Sequence, residues 1–167
     1  MKNITVCLLF VLVGTFSFAQ TVSKEGQFTV DFPGEATFMT DAAETELGEM
    51  TLNMYMYEAS AKEVYMVSWS EYPEGELEDS DESDVINSGL DGAFENVGIT
   101  NREEVKEGKF QGHPSIFARG KIDGSYHAIY QIILVDNKLY QVAVLSDGYY
   151  ISKQDEKKFF GSFKFLK

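Results

Sequence analysis

Apolar residues recur at every second position in one segment after another of this chain, and that spacing limits its fold more than any other feature. Side chains on an extended strand alternate between two faces, so a period of two buries one face and wets the other. Phe28-Thr29-Val30-Asp31-Phe32 turns three apolar side chains one way and ends at Pro33-Gly34, a strand followed by a turn. Leu52, Met54 and Met56 fall opposite Asn53, Tyr55 and Tyr57, and Val64, Met66 and Ser68 fall opposite Tyr65, Val67 and Trp69. The short polar link from Ser60 to Glu63 joins these two runs as an antiparallel hairpin.

The pattern then changes. Residues 71–84 hold eight acidic side chains and, apart from Leu77, no aliphatic one, which reads as a solvated loop. Ser83 is placed to cap a helix in which Ile86, Leu90, Phe94 and Val97 recur at helical spacing, with Gly98 as its stop. Gly89 and Gly92 weaken that helix by about 1 kcal/mol each relative to Ala, a tolerable loss where a helix must lie close on a sheet. Strands return at Glu103–Lys106 and, after Gly112-His113-Pro114, at Ser115–Ile122. Tyr126–Val135 is apolar on both faces, as a central strand covered on two sides must be. Asp136-Asn137-Lys138 turns the chain into Leu139–Leu145, whose stronger face is Tyr140, Val142 and Val144. A second helix starts at Ser152 with Asp155 three residues on. It carries Phe159 and Phe160, breaks near Gly161, and gives way to Phe163 and Phe165 at strand spacing.

Hairpins, a helix, more strands and a last helix make a single α+β domain around a mostly antiparallel β-sheet. Two stretches carry a resemblance. Gly26 to Gly34 resembles the opening G-x-F-x-V-x-F-P-G of small exported bacterial domains, and Lys158 to Phe165 resembles their F-F-x-S-F-K close. Those domains are grouped with the PsbP-like superfamily, which also holds an extrinsic photosystem II subunit and a Ran-binding nuclear import factor. The resemblance implies a sheet with helices on both faces and a binding or assembly role without known catalysis. It transfers no catalytic residue, because its motifs contain none.

The first residues resemble no part of that domain. Lys2, the apolar run from Ile4 to Phe18 and the small residues Ser17 and Ala19 are the three parts of a cleavable signal peptide over residues 1–19, leaving a domain of residues 20–167. The run is shorter than the roughly 20 apolar residues a spanning helix needs, so no membrane insertion is expected after cleavage. The expected location is periplasmic or extracellular. Cleavage removes Lys2 and no acid, so the formal charge moves from −13 to −14, and it removes Cys7, the single cysteine. A mature domain without thiols has no disulfide, no Cys nucleophile and no thiolate metal site. Its negative charge disfavours nucleic acid as a partner.

The candidate chemistry is sparse. His113 lies between Gly112 and Pro114, where a surface turn is expected, and His127 opens the doubly apolar strand, where a part-buried, hydrogen-bonded ring is expected. Their spacing matches neither H-x-x-x-H nor H-E-x-x-H. Asp79, Asp81, Ser83 and Asp84 resemble the start of a calcium loop, but the sixth position is Asp84 instead of Gly and the twelfth is Leu90 instead of Glu. No phosphate-binding glycine motif occurs and no cofactor is implied. Tyr55, Tyr57, Tyr149 and Tyr150 are the candidate binding surface, since tyrosine offers large area and a hydroxyl at low entropic cost. The reading is an exported soluble, non-catalytic domain that binds or assembles with an envelope or extracellular protein or glycan. Two alternatives remain open: a small hydrolase or metal-dependent enzyme using His113 or His127, and a calcium-responsive structural domain using the acidic loop 71–84. The leader reading is checked by intact-mass measurement of the exported protein, which is expected to begin at Gln20 or Thr21; a species in that fraction retaining Met1 would make the segment an anchor.

Overall fold

The structure is a computed structural model that describes residues 19–45, 48–122 and 125–167. The expected leader, Ala19 apart, lies outside the described residues. In chain order the elements are β1 (Ala19–Ser23), β2 (Phe28–Phe32), β3 (Thr37–Thr45), β4 (Gly48–Ser60), β5 (Glu63–Glu71), α1 (Glu82–Asn96), β6 (Asn101–Phe110), β7 (His113–Lys121), β8 (Tyr126–Val135), β9 (Lys138–Asp147), α2 (Lys153–Ser162) and β10 (Lys164–Phe165). Seven strands form one sheet in the order β3-β4-β5-β9-β8-β7-β6, and β1-β2-β10 form a second. Every pairing is antiparallel. The expected α+β domain is therefore present, with the β4–β5 hairpin closing at Ser60↔Glu63.

The large sheet is covered on both faces at its centre. On one face, Ile129 and Ile133 of β8, Tyr140, Val142 and Val144 of β9, and Tyr65, Val67 and Trp69 of β5 pack against β2 and the C-terminal aromatics. On the other, Ala128, Tyr130, Ile132 and Leu134 of β8 pack with Leu139 and Ala143 of β9 against Ile86, Leu90, Ala93 and Phe94 of α1. A Cβ on Gly89 would sit 2.6 Å from the Leu139 side chain, so this glycine is what lets α1 settle on the sheet. Gly92 faces open space and has no such role.

The two motifs that carry the family resemblance pack on each other. Phe28, Val30 and Phe32 are fully buried. The Phe28 ring lies 5.2 Å from Phe163 and 5.5 Å from Trp69, and Phe32 lies 5.4 Å from Phe159. The Asp31 amide donates to the Ser162 hydroxyl at 2.9 Å, and β10 pairs Phe165 with Phe28. Gly34 is required where the chain leaves β2, because a Cβ there would meet the Tyr57 ring at 2.4 Å.

Two local expectations are corrected. α1 is capped by Asp81, not Ser83: Asp81 is extended and its carboxylate accepts from the Ser83 amide, which starts the helix at Glu82. α2 runs through Gly161 to Ser162. Of the four C-terminal rings, Phe159 and Phe163 are fully buried, while Phe160 and Phe165 are only half-buried at the core's margin. Two strands, β1 and β3, have no counterpart in the sequence reading. Phe159→Ala is accordingly expected to lower stability by about 3–5 kcal/mol and Phe160→Ala by clearly less, as measured by urea unfolding. A chain stopped after Gln154, lacking both buried rings and β10, is expected to lose its cooperative transition. Cooperative melting of that truncation near the full-length temperature would contradict the core assignment.

Candidate functional site

The two histidines are far apart. Ser115 pairs with Ile133 and Lys121 with His127, so at about 3.3 Å per residue His127 lies about 20 Å from the level of Ser115. His113 is two residues further along, as the first residue of β7, with its ring 5.4 Å from Phe165. His127 is part-buried as expected, 4.6 Å from the Tyr150 ring, but its Nδ1 makes no hydrogen bond, which corrects the expectation of a bonded ring. The acidic segment is turn structure held at Glu76, Glu78 and Ser80 by bonds to the carbonyls of Pro73, Gly75 and Leu77. Its carboxylates are exposed, yet Tyr72 and Leu77 tuck against the α1 side of the core, so the loop is anchored at two points. Among the described residues no group of three or more His, Cys, Asp or Glu is placed to hold a metal ion.

The four candidate tyrosines divide among three environments. Tyr55 enters the ring cluster under β2, 6.2 Å from Trp69 and 5.0 Å from the exposed Phe38 ring. Tyr57 lies 6.4 Å from Tyr65, and Tyr149 donates to Glu63 at 2.6 Å. The Tyr65 phenol is pushed above its ordinary range by burial and then by the Glu63 charge, so Tyr57, Tyr65, Glu63 and Tyr149 form one neighbourhood. Tyr150 sits apart. Its hydroxyl donates to Glu103 at 2.6 Å, and its ring lies 5.3 Å from the Arg119 guanidinium. Arg119 is buried and bonded to Glu104 at 2.8 Å and to Glu156 of α2. Hydrogen bonds from Lys121 and then Tyr150 hold the Glu103 carboxyl below its ordinary value. This cluster ties β6, β7 and α2 together, so its arrangement is that of a clamp.

A different surface stands open. On the α1 side, Met54 and Met56 of β4, Val64 and Met66 of β5, Leu145 of β9, and Tyr126 and Tyr130 of β8 line a groove of about 380 Å³. Val97 at the end of α1 forms one wall, and Ala61 and Lys62 of the β4–β5 turn form the rim. Register explains the grouping: Met56 pairs with Met66, Val64 with Leu145, and Leu145 with Ala128. Four adjacent strands thus contribute, and at about 4.8 Å per strand the floor is about 14 Å across. The volume falls within the ordinary range for small-ligand sites, and methionines suit a surface that must adapt to its occupant.

The groove was not recognised from the sequence, although the alternation marks Met54 and Met56 as one face. The missing signal is a width argument. A helix is about 10 Å in diameter, so α1 covers about two strand spacings of a seven-stranded sheet. Some apolar face on its side had to remain uncovered. Neither histidine lines this groove or the concavities that border the acidic loop, the Asp136-Asn137 turn and the seam between α1 and the sheet at Leu52 and Leu139.

No known family model and no curated protein sequence matches the chain. Among solved structures ten chains match. The chain is similar to the solution structure of cyanobacterial PsbP (CyanoP) from Synechocystis sp. PCC 6803, with a TM-score of 0.59 and 11% identity over 97% of this chain and 98% of that one. It is also similar, with a TM-score of 0.36 and 8% identity over 79% of this chain and 84% of that one, to the protein of unknown function PA94 from Pseudomonas aeruginosa. The first likeness runs end to end and shows that the chain has a PsbP-like fold. At that identity it speaks for the fold alone. No helix among the described residues is long and apolar enough to cross a membrane.

The buried phenols set an alkaline limit on this architecture. Burial pushes Tyr130, on the groove floor, and Tyr140, on the opposite face, up to about 12 from 10.0. A raised folded-state value contributes stability that is fully present below the unfolded value and lost as pH climbs through the folded one. Urea midpoints are therefore expected to hold below pH 10.0 and fall steadily toward about 12, with a shallower fall in Tyr130→Phe. An unchanged slope in that variant would show that Tyr130 is not held neutral by the fold.

Proposed function

We propose that the mature chain is an exported, non-catalytic binding domain that engages an envelope or extracellular component through the methionine-lined groove. One observation carries this reading. At the sheet's centre the opposite face is covered by β2, α2 and the C-terminal rings, whereas the α1 face leaves Met54, Met56, Val64 and Met66 beside an open concavity. Half-exposed apolar surface gathered in a concave patch is characteristic of binding sites. The leader-like N-terminus supports the exported setting, and the PsbP-like fold is compatible with a role in binding.

The reading places the contact away from Tyr149 and Tyr150, whose hydroxyls are already engaged by Glu63 and Glu103. Replacing Val64 with a photo-crosslinking benzoylphenylalanine in the full, exported chain tests it. Irradiation in the native cell is expected to trap a discrete envelope or extracellular component from position 64 and none from position 109 on the far edge strand β6. No adduct at position 64, or the same adducts at both, would overturn the groove as the binding surface.

A further inference from the structure

Resting on that reading, we infer that the groove takes a single-chain amphiphile: an apolar acyl-type tail along its floor and an anionic headgroup at the Lys62 end. The lining divides in this way by position. Met54, Met56, Val64, Met66, Leu145 and Val97 present side chains with no hydrogen-bonding group, and Met adds only a weakly accepting sulfur. Lys62 and Tyr126, by contrast, bring an ammonium and a phenol to the same groove. They lie at one end of it. The Lys62 carbonyl accepts from the Asp147 amide at 2.8 Å, and Asp147 is the register partner of Tyr126. Both side chains belong to exposed residues, and among the described residues neither terminal group has a hydrogen-bond or ion-pair partner. An elongated ligand lying along the strands with one charged end matches this polarity: Tyr126 is level with Asp147 and Met54 is level, through Ser68, with Gln141, six residues or about 20 Å away.

The sign of the headgroup follows from Lys62. The chain as a whole carries −13, so its general field attracts cations and repels anions. Among the described residues Lys62 is the one charged side chain in the groove lining, and it has the opposite sign. A carboxylate or similar anion is the head that an ammonium and a phenol together hold best. The same net charge opposes approach to an anionic bilayer, so the amphiphile is taken as a monomer.

The experiment compares laurate with dodecyltrimethylammonium, which has the same tail and the opposite charge, by calorimetric titration of the mature domain below micellar concentration. Laurate is expected to bind the tighter of the two, against the protein's net field. Lys62→Glu, an exposed change that leaves the core untouched, is expected to weaken laurate by about fivefold or more and not the cation. Met56→Glu, placed on the floor, is expected to weaken both. Phosphatidylglycerol vesicles are expected to leave the protein in the supernatant on sedimentation; Lys62-dependent co-sedimentation would overturn the monomer in favour of a bilayer. Equal binding of both amphiphiles, or laurate binding indifferent to Lys62→Glu, would overturn the headgroup assignment. If neither amphiphile binds while the crosslink at position 64 still traps a component, the ligand class falls and the binding-domain reading stands; if both fail, both are wrong.

Discussion

The β8–β9 pair lies at the middle of the seven-stranded sheet with both faces buried, and most of the architecture follows from that burial. Ile129, Ile133, Val142 and Val144 need cover on one side, and Ala128, Tyr130, Ile132 and Ala143 need it on the other. Each fully buried large side chain contributes roughly 1.5–3 kcal/mol of transfer free energy, so leaving either face wet would remove a large part of the ~5–15 kcal/mol that holds an ordinary domain together. The chain meets the first demand with its two ends. β2 and the Phe159–Phe165 segment come together over the sheet, joined by Phe28–Phe163, Phe32–Phe159 and the Asp31–Ser162 hydrogen bond. The N- and C-terminal motifs of the PsbP-like pattern are thus two halves of one lid.

The second demand is met only in part, and the candidate site arises from the shortfall. α1 is a single helix of 15 residues. Gly89 lets it sit close on Leu139, which fixes it over β7, β8 and β9. β4 and β5 extend beyond its reach, and their methionines are left half-buried beside the groove. The sheet's edges are treated differently from this face. β6 places Arg102, Glu103, Glu104, Lys106, Glu107 and Lys109 along one edge, with a register shift between Arg102 and Glu104. Charges and irregular register are how sheets discourage unwanted strand pairing. The groove has no such protection apart from Lys62 at its rim.

Strands whose burial is periodic could be read directly. Phe28-Val30-Phe32 and the doubly apolar Tyr126–Val135 announce their roles, because a central strand leaves no alternative for its side chains. β3 was invisible for the opposite reason: as an edge strand it is mostly wet, and Thr37, Thr40 and Asp41 break its alternation. β1 was hidden by the leader, since Ala19 both satisfies the small-residue rule of a cleavage site and pairs with Phe32. At α1, Asp81 and Ser83 are both good caps, and only backbone geometry chooses between them. The tyrosines show a deeper limit. Tyr55 and Tyr57 share a face and Tyr149 and Tyr150 are neighbours, but partners from distant segments, Trp69, Tyr65, Glu63 and Glu103, decide what each one does. The groove required strand order, which no local pattern contains.

In the free domain this groove is open to solvent, and methionine-methyl NMR with a soluble nitroxide reads that exposure. Cleavage of the leader leaves Met39, Met50, Met54, Met56 and Met66 as probes. Met54, Met56 and Met66 line the groove, while Met50 is buried at 8% exposure. The nitroxide is expected to broaden the three groove methyls strongly and to spare Met50. Equal protection of all four would mean that the groove is closed in solution, and the binding surface would have to be sought elsewhere.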